Sequence, residues 1–176
     1  MALCGSRIVD TLASRDVSQV VDWCLRWQVR AVGVDAPVGW SIDGHARPAE
    51  RALMRQGVHC FASPTRERAL AHPGNWYAWM FSGEAIHVAL RPHFVAPDPA
   101  QAMPSGPVAF ETFPQAIACA LAGRLLRAGD KARDRPALLA ACGVEVTRLR
   151  GIDFIDAALC ALAAGQLAQG TVRFFG

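Results

Sequence analysis

The chain has 176 residues, 52% of them hydrophobic and 19% charged, which suits one compact domain with a full core and leaves little room for a second. A formal net charge of +3 is reached by many balanced enzymes, so charge neither argues for a nucleic-acid partner nor excludes one. No stretch reaches the roughly 18 apolar residues of a membrane span, and no long apolar run follows the first charge at the N-terminus, so the expected setting is cytoplasmic. The cysteines Cys4, Cys24, Cys60, Cys119, Cys142 and Cys160 form no CxxC pair and none of the spacings of structural zinc sites. They are expected as small buried hydrophobes or free thiols in a reducing compartment.

In chain order, Met1 to Cys4 and Arg7 to Leu12 suggest two short strands around Gly5-Ser6, a two-residue hairpin signal. The first is short for a paired strand, as if the chain entered partway through an element. Asp16 with Gln19 three residues on has the form of a capping box. Val17, Val20, Val21, Cys24 and Trp27 follow at helical spacing and predict a helix over Val17 to Gln28. Ala31-Val32-Gly33-Val34 is a continuous apolar run, as expected of a parallel strand covered on both faces, with Asp35 at its carboxyl end. From Ser41 to Pro107 the chain is rich in proline, glycine and aromatics, with helices expected at Pro48 to Gln56 and near Trp76 to Phe81. This stretch has the character of a long helical insertion, about 41–107, within the single domain. Val108 to Thr112 is a second apolar strand carrying Glu111 at its end. Pro114 starts a helix expected to reach Leu126, and Pro136 to Ala141 gives another short one. Ile152 to Leu167 sets Ile155, Ala158, Leu159, Leu162 and Ala163 at the spacing of an amphipathic helix. Thr171 to Phe175 is expected as a final edge strand.

Parallel α/β sheets gather ligand sites at the carboxyl ends of their strands, where helix N-termini also collect. Asp35, Glu111, and Asp153 with Asp156 fall in such places. Carboxylates about 5 Å apart repel by a few kcal/mol at an effective dielectric of about 20, so a cluster needs protons or a divalent cation. Oxygen-only ligands favour Mg2+ or Mn2+, and two such ions roughly 4 Å apart serve phosphodiester hydrolysis. Ordinary roles are also open to each acid. Asp35 can start a turn, Glu111 can be an exposed strand-end charge, and Asp153 can cap the last helix with Asp156 favoured by its dipole.

The runs Val34-Asp35-Ala36-Pro37-Val38-Gly39, Arg47 to Gly57, Phe110-Glu111-Thr112-Phe113-Pro114 and Ile152-Asp153-Phe154-Ile155-Asp156-Ala157-Ala158 resemble, in this order, domain-of-unknown-function family 429, described as predicted RNase H-like nucleases. The resemblance covers nearly the whole chain from Arg7 onward. It implies an α/β fold of RNase H type, a mixed sheet flanked by helices with the helical insertion between Asp35 and Glu111. It also implies acidic ligands for Mg2+ or Mn2+ at Asp35, Glu111 and Asp153 or Asp156. Family members look to open with a strand bearing an acid, and this chain has no match to that strand or its acid. In the RNase H arrangement that strand lies at the sheet centre, between Arg7 to Leu12 and Ala31 to Val34, so its loss removes a ligand and leaves a gap.

Arg47, Arg51 and Arg55 recur at four-residue spacing and share one helix face with Glu50 alongside. A solvated face is the ordinary explanation, and contact of Arg47 or Arg51 with a phosphate or an active-site acid is the functional one. Lys131, Arg133 and Arg135 form a second basic cluster, expected on a surface loop or along a nucleic-acid backbone. Trp76, Tyr77, Trp79 and Phe81 are expected to form the small core of the insertion rather than a base-stacking platform. The histidines show no zinc-binding spacing, and no GxSxG elbow or glycine-rich phosphate loop is present. The leading expectation is a metal-dependent nuclease with Asp35, Glu111, Asp153 and Asp156 as catalytic ligands and Arg47, Arg51 and Lys131 facing a nucleic acid. The rival from another class is a non-catalytic binding or scaffold protein. A homodimer is a further expectation, because it covers an edge left open in the sheet.

Overall fold

The computed structural model describes residues 1–98, 106–167 and 169–175. The hairpin forms as expected, β1 (Ala2–Cys4) antiparallel to β2 (Arg7–Asp10). Gly5 takes a φ of +61° at the first position of the turn, a conformation that glycine adopts without a steric penalty. α1 (Val17–Arg26) is capped by Asp16, whose carboxylate accepts from the Ser18 amide at 2.9 Å. The expected capping box with Gln19 does not form, because the Gln19 side chain accepts from the Ser14 hydroxyl at 2.9 Å. The helix stops short of Gln28, which lies in the left-handed region at φ +48°.

β3 (Ala31–Val34) pairs in parallel with β4 (Val108–Glu111), Val34 opposite Glu111. Among the described residues the strands form two separate two-stranded sheets, so the single mixed sheet expected from the sequence is not seen. No ladder joins the hairpin to β3; what joins them is α7 (Ile152–Leu167), which packs against both β1 and β3.

Between β3 and β4 run α2 (Pro48–Arg55), α3 (Arg66–Ala71) and α4 (Ala78–Leu90). The helix expected near Trp76 to Phe81 thus begins after Tyr77 and continues to Leu90, and α3 adds a helix the pattern did not suggest. α5 (Pro114–Ala122) ends earlier than Leu126 because Gly123, at φ +62°, terminates it in the left-handed conformation. α6 (Lys131–Ala141) follows a 3-10 turn at Ala128–Asp130. It starts five residues before the expected Pro136, and the Lys131, Arg133, Arg135 cluster is therefore helical rather than a loop. Residues 171–175 form no strand.

Two apolar clusters flank the strands. On one side α1 and α4 contribute Val21, Trp23, Cys24 and Leu90, packed with Ala2 and Val34. On the other, Ala118, Leu139, Ile155, Ala158, Leu159 and Leu162 join α5, α6 and α7. All six cysteines are free thiols, with Cys24, Cys119 and Cys160 buried. No described helix is long and apolar enough to cross a membrane.

α7 approaches β3 closely because Gly33 has no side chain. A Cβ there would stand 2.7 Å from the Cys160 carbonyl oxygen and 2.9 Å from Thr112 Cγ2. Gly33→Ala is therefore expected to cost about 1–3 kcal/mol through backbone displacement. Gly39→Ala, where a Cβ meets nothing within 4 Å, should stay within about 0.5 kcal/mol of the parent. Urea denaturation of the two variants checks the difference, and equal stabilities would contradict the close packing.

Candidate acidic site

Asp35 follows β3 directly, and Asp153 and Asp156 lie in the first turns of α7. The contact of α7 with β3 brings these three carboxylates to one groove of about 580 Å3, whose walls include Met1, Ala2 and Leu3 on one side and residues 30–35 on the other. Desolvation by the surrounding protein lifts the Asp35 carboxyl from its ordinary 3.8 to about 6, Asp156 and Asp153 pushing the same way and Arg135 and Lys131 pulling back. The Asp35 side chain is nevertheless open to solvent in the groove, so it is a crowded carboxyl that water still reaches. No hydrogen bond or ion pair among the described residues holds Asp35 or Asp153.

Asp156 is different, because it is paired with the guanidinium of Arg135. Arg135 is only 6% exposed and also donates to Gln115 Oε1 at 3.0 Å, while its Nε is buried without a partner. Gln115 is held in turn by donating to the Leu126 carbonyl at 2.8 Å. Neither the burial of Arg135 nor its partner Gln115 was anticipated from the sequence. The only signal was the shared four-residue spacing of Lys131 and Arg135, which a helix turns to one face.

Glu111 is committed elsewhere. Its carboxylate accepts a bidentate fork from Arg47, Nη1 at 2.8 Å and Nη2 at 2.6 Å, and a third bond from the Val38 amide at 2.8 Å. The same Arg47 donates through Nε to Glu50 at 2.7 Å. Glu50, 4% exposed, also accepts from the Ser63 amide at 3.0 Å and the Ser63 hydroxyl at 2.5 Å. Burial pushes the Glu50 carboxyl up, but the bonds from Ser63 and Arg47 outweigh it and hold Glu50 below its ordinary value.

Asp35 borders both regions, since it also lines a smaller hollow of about 100 Å3 with Arg47, Glu111, Phe61 and Trp79. Phe61 meets Tyr77 and Trp79 edge-on at 6.1 and 5.7 Å. Of the four aromatics expected as the small core of the insertion, Tyr77 and Trp79 meet Phe61, Phe81 packs instead on Trp40 at 4.8 Å, and Trp76 and Trp79 are 64% and 44% exposed, so the four do not form one buried core. Buried His87 lies 3.2 Å from the Ala36 carbonyl through Nε2, and burial lowers its pKa, so the neutral ring donates there and pins the turn after Asp35. Of the other expected substrate residues, Arg51 donates to the Ala46 carbonyl at the start of α2. Lys131 is exposed and near enough to Asp35 to draw its pKa down.

The donors around the groove are carboxylate oxygens, a hard set suited to Mg2+ or Mn2+. As they lie, no three His, Cys, Asp or Glu side chains among the described residues stand close enough together to hold a metal ion. Neither a curated protein nor a solved structure matches the chain. A family model does match, over residues 4–176, and by that match the chain belongs to the family described as protein of unknown function, DUF429.

Proposed function

We propose that this protein is a metal-dependent phosphodiesterase of RNase H type, a nuclease acting on DNA or RNA. The observation that carries the reading is Asp35. A carboxyl lifted to about 6 beside Asp156 and Asp153, with no hydrogen bond of its own, is an electrostatic demand that a proton or a divalent cation relieves. Asp35, Asp153 and Asp156 would hold the cation once drawn together around it. When bound, such an ion supplies an activated water and neutralises charge on the leaving oxygen.

The chain's own residues supply the rest. Arg135 fixes Asp156 at the groove, and Arg47 presents a planar fork on the other side of Asp35. A phosphate oxygen competes for that fork with Glu111, and its arrival releases Glu111 toward Asp35. The parallel β3 and β4 pair, with acids at its carboxyl end and α7 laid across it, supports the RNase H-like assignment.

The test is incubation of the chain with single-stranded DNA, duplex DNA, RNA and RNA–DNA hybrid in Mg2+ or Mn2+. Cleavage that disappears with a chelator and falls at least about 100-fold in Asp35→Asn is expected, the scale seen when charge stabilisation is removed from an active site. A folded chain that cleaves none of the four substrates contradicts the proposal. The rival reading, a non-catalytic binding module, is favoured by one observation, that no three ligands among the described residues stand at metal-binding distance.

A further inference from the structure

Two exposed aromatic rings stand beside the acidic site on a buried frame. Phe61 and Trp79 are each 44% exposed, and both line the small hollow that Arg47, Glu111 and Asp35 border. Phe61 lies two residues before Ser63, which is 1% exposed and donates to Glu50, the carboxylate that also binds Arg47. Trp79 is on α4 one turn before Gly83, and residues four apart share a helix face. At Gly83 that face lies against the turn after Asp35, so closely that a Cβ would stand 2.3 Å from Ala36 Cβ. Both rings are therefore fixed relative to Arg47 and Asp35, yet neither is covered.

The rings belong to a longer row. His72 meets Tyr77 edge-on at 5.1 Å, Tyr77 meets Phe61, and Phe61 meets Trp79. Trp76, next to Tyr77 in the chain, is 64% exposed. Large aromatics that touch one another and also water mark an interaction surface rather than a core. Charge selects the partner. Between Arg47 and Trp79 stand Arg47, Arg51, Arg55, Arg66 and Arg68 against Glu50 and Glu67, and Glu50 is buried. Outside this stretch basic and acidic residues are equal in number, so the whole formal excess of +3 lies within it. Arg66 answers Glu84, while Arg51, Arg55 and Arg68 stand exposed. Such a stretch attracts a polyanion. The polyanion that also offers flat apolar faces is a nucleic acid, and only unpaired bases present those faces, because a duplex keeps them in its own stack.

We propose that Phe61 and Trp79 form a stacking platform for the bases of a single-stranded nucleic acid whose phosphate meets Arg47, which makes an unpaired strand, rather than a duplex, the substrate class of the adjoining acidic site. The choice of partner rests on the nuclease reading, but stacking on the rings needs neither metal nor hydrolysis.

The test is fluorescence anisotropy of a labelled strand of about 12 thymidylates with the chain in a chelator, beside a duplex of the same length and an abasic strand that keeps the phosphates without the bases. Saturable binding of the thymidylate strand is expected, with the duplex and the abasic strand each at least about 10-fold weaker. Trp79→Ala and Phe61→Ala should each weaken it by about 5- to 150-fold, the change that corresponds to one base–aromatic stack. Trp79→Phe, which keeps a ring, should bind within about 3-fold of the parent. The proposal is overturned by any of four results: no binding, equal binding of the abasic strand, which marks plain charge attraction, equal binding of the duplex, or a Trp79→Phe variant as weak as Trp79→Ala, which marks a structural role. A strand that binds in this pattern but is never cleaved in Mg2+ or Mn2+ contradicts the nuclease reading alone. Cleavage that is unchanged in Trp79→Ala and Phe61→Ala contradicts the platform alone.

Discussion

Replacing Arg47 with leucine is expected to lower stability by about 3–5 kcal/mol at neutral pH, the range found when one partner of a buried ion pair is removed. Arg47 is the shared cation of two carboxylates, and its side chain is only 11% exposed. Glu111 is 27% exposed at its side chain and can rehydrate, but Glu50 is 5% exposed and cannot. The cost therefore falls mainly on Glu50, which keeps Ser63 but loses its counter-charge. The pH dependence follows from the sign of its shift. In the parent, Glu50 has a folded pKa below its ordinary 4.5, so its contribution to stability is complete above about 4.5 and is lost as pH falls through the lowered value. In Arg47→Leu the ionised carboxylate becomes a burden, so the deficit relative to the parent should narrow on acidification toward pH 4. Adding Glu50→Gln to Arg47→Leu should recover part of the loss, because the amide oxygen still accepts from Ser63 and carries no charge. Urea denaturation at pH 7 and pH 4 measures all three chains. A loss below about 1 kcal/mol would show that water screens the pair as it does on a surface.

Asp35→Asn is expected to act in two opposite directions, ending metal-dependent cleavage while raising stability. The folded pKa of Asp35 is about 6 against 3.8 for the free side chain. A group with a raised folded pKa contributes stability that is complete below the unfolded value and is lost as pH rises through the folded one, so Asp35 weakens the fold progressively from about pH 4 to pH 6. A shift of that size in a dry site corresponds to nearly 3 kcal/mol, and solvent entering the groove trims it to about 1 kcal/mol. Asparagine removes the penalty, so the variant should be more stable than the parent at pH 7 and no different at pH 4. A residue kept at a cost to stability is the pattern expected where function sets the choice. Thermal denaturation at the two pH values decides the stability half of this prediction, and a variant less stable at pH 7 would contradict it.

Much of this architecture was legible because the local signals were strong. α7 runs from Ile152 to Leu167 as its apolar spacing implied, and β3 and β4 stand where apolar runs end in acids. α4 was blurred for a physical reason. Its stretch Ala78–Leu90 is apolar almost all round apart from Glu84 and His87, which leaves little contrast between faces for a periodicity to show. Pro136 misplaced the start of α6, since proline usually opens a helix, whereas here it sits inside one that begins at Lys131. In the candidate site, strand ends and a helix start identified the acids, but their partners lay beyond local pattern. Ser63 reaches Glu50 across 13 residues, a distance over which a single sequence carries no pairing signal. Contact of Arg47 or Arg51 with an active-site acid was one of the expected readings, but which arginine meets which acid, Arg47 with Glu111 across 64 residues, was not legible.

Calorimetric titration with Mn2+ decides whether the carboxylates at the mouth of the groove bind a divalent cation. The parent should bind with an affinity that rises between pH 5 and pH 7 as Asp35 loses its proton near pH 6, and Asp35→Asn, folded and at least as stable, should not bind. A well-folded parent that takes up no Mn2+ at pH 7, or a variant that binds as the parent does, would contradict the claim.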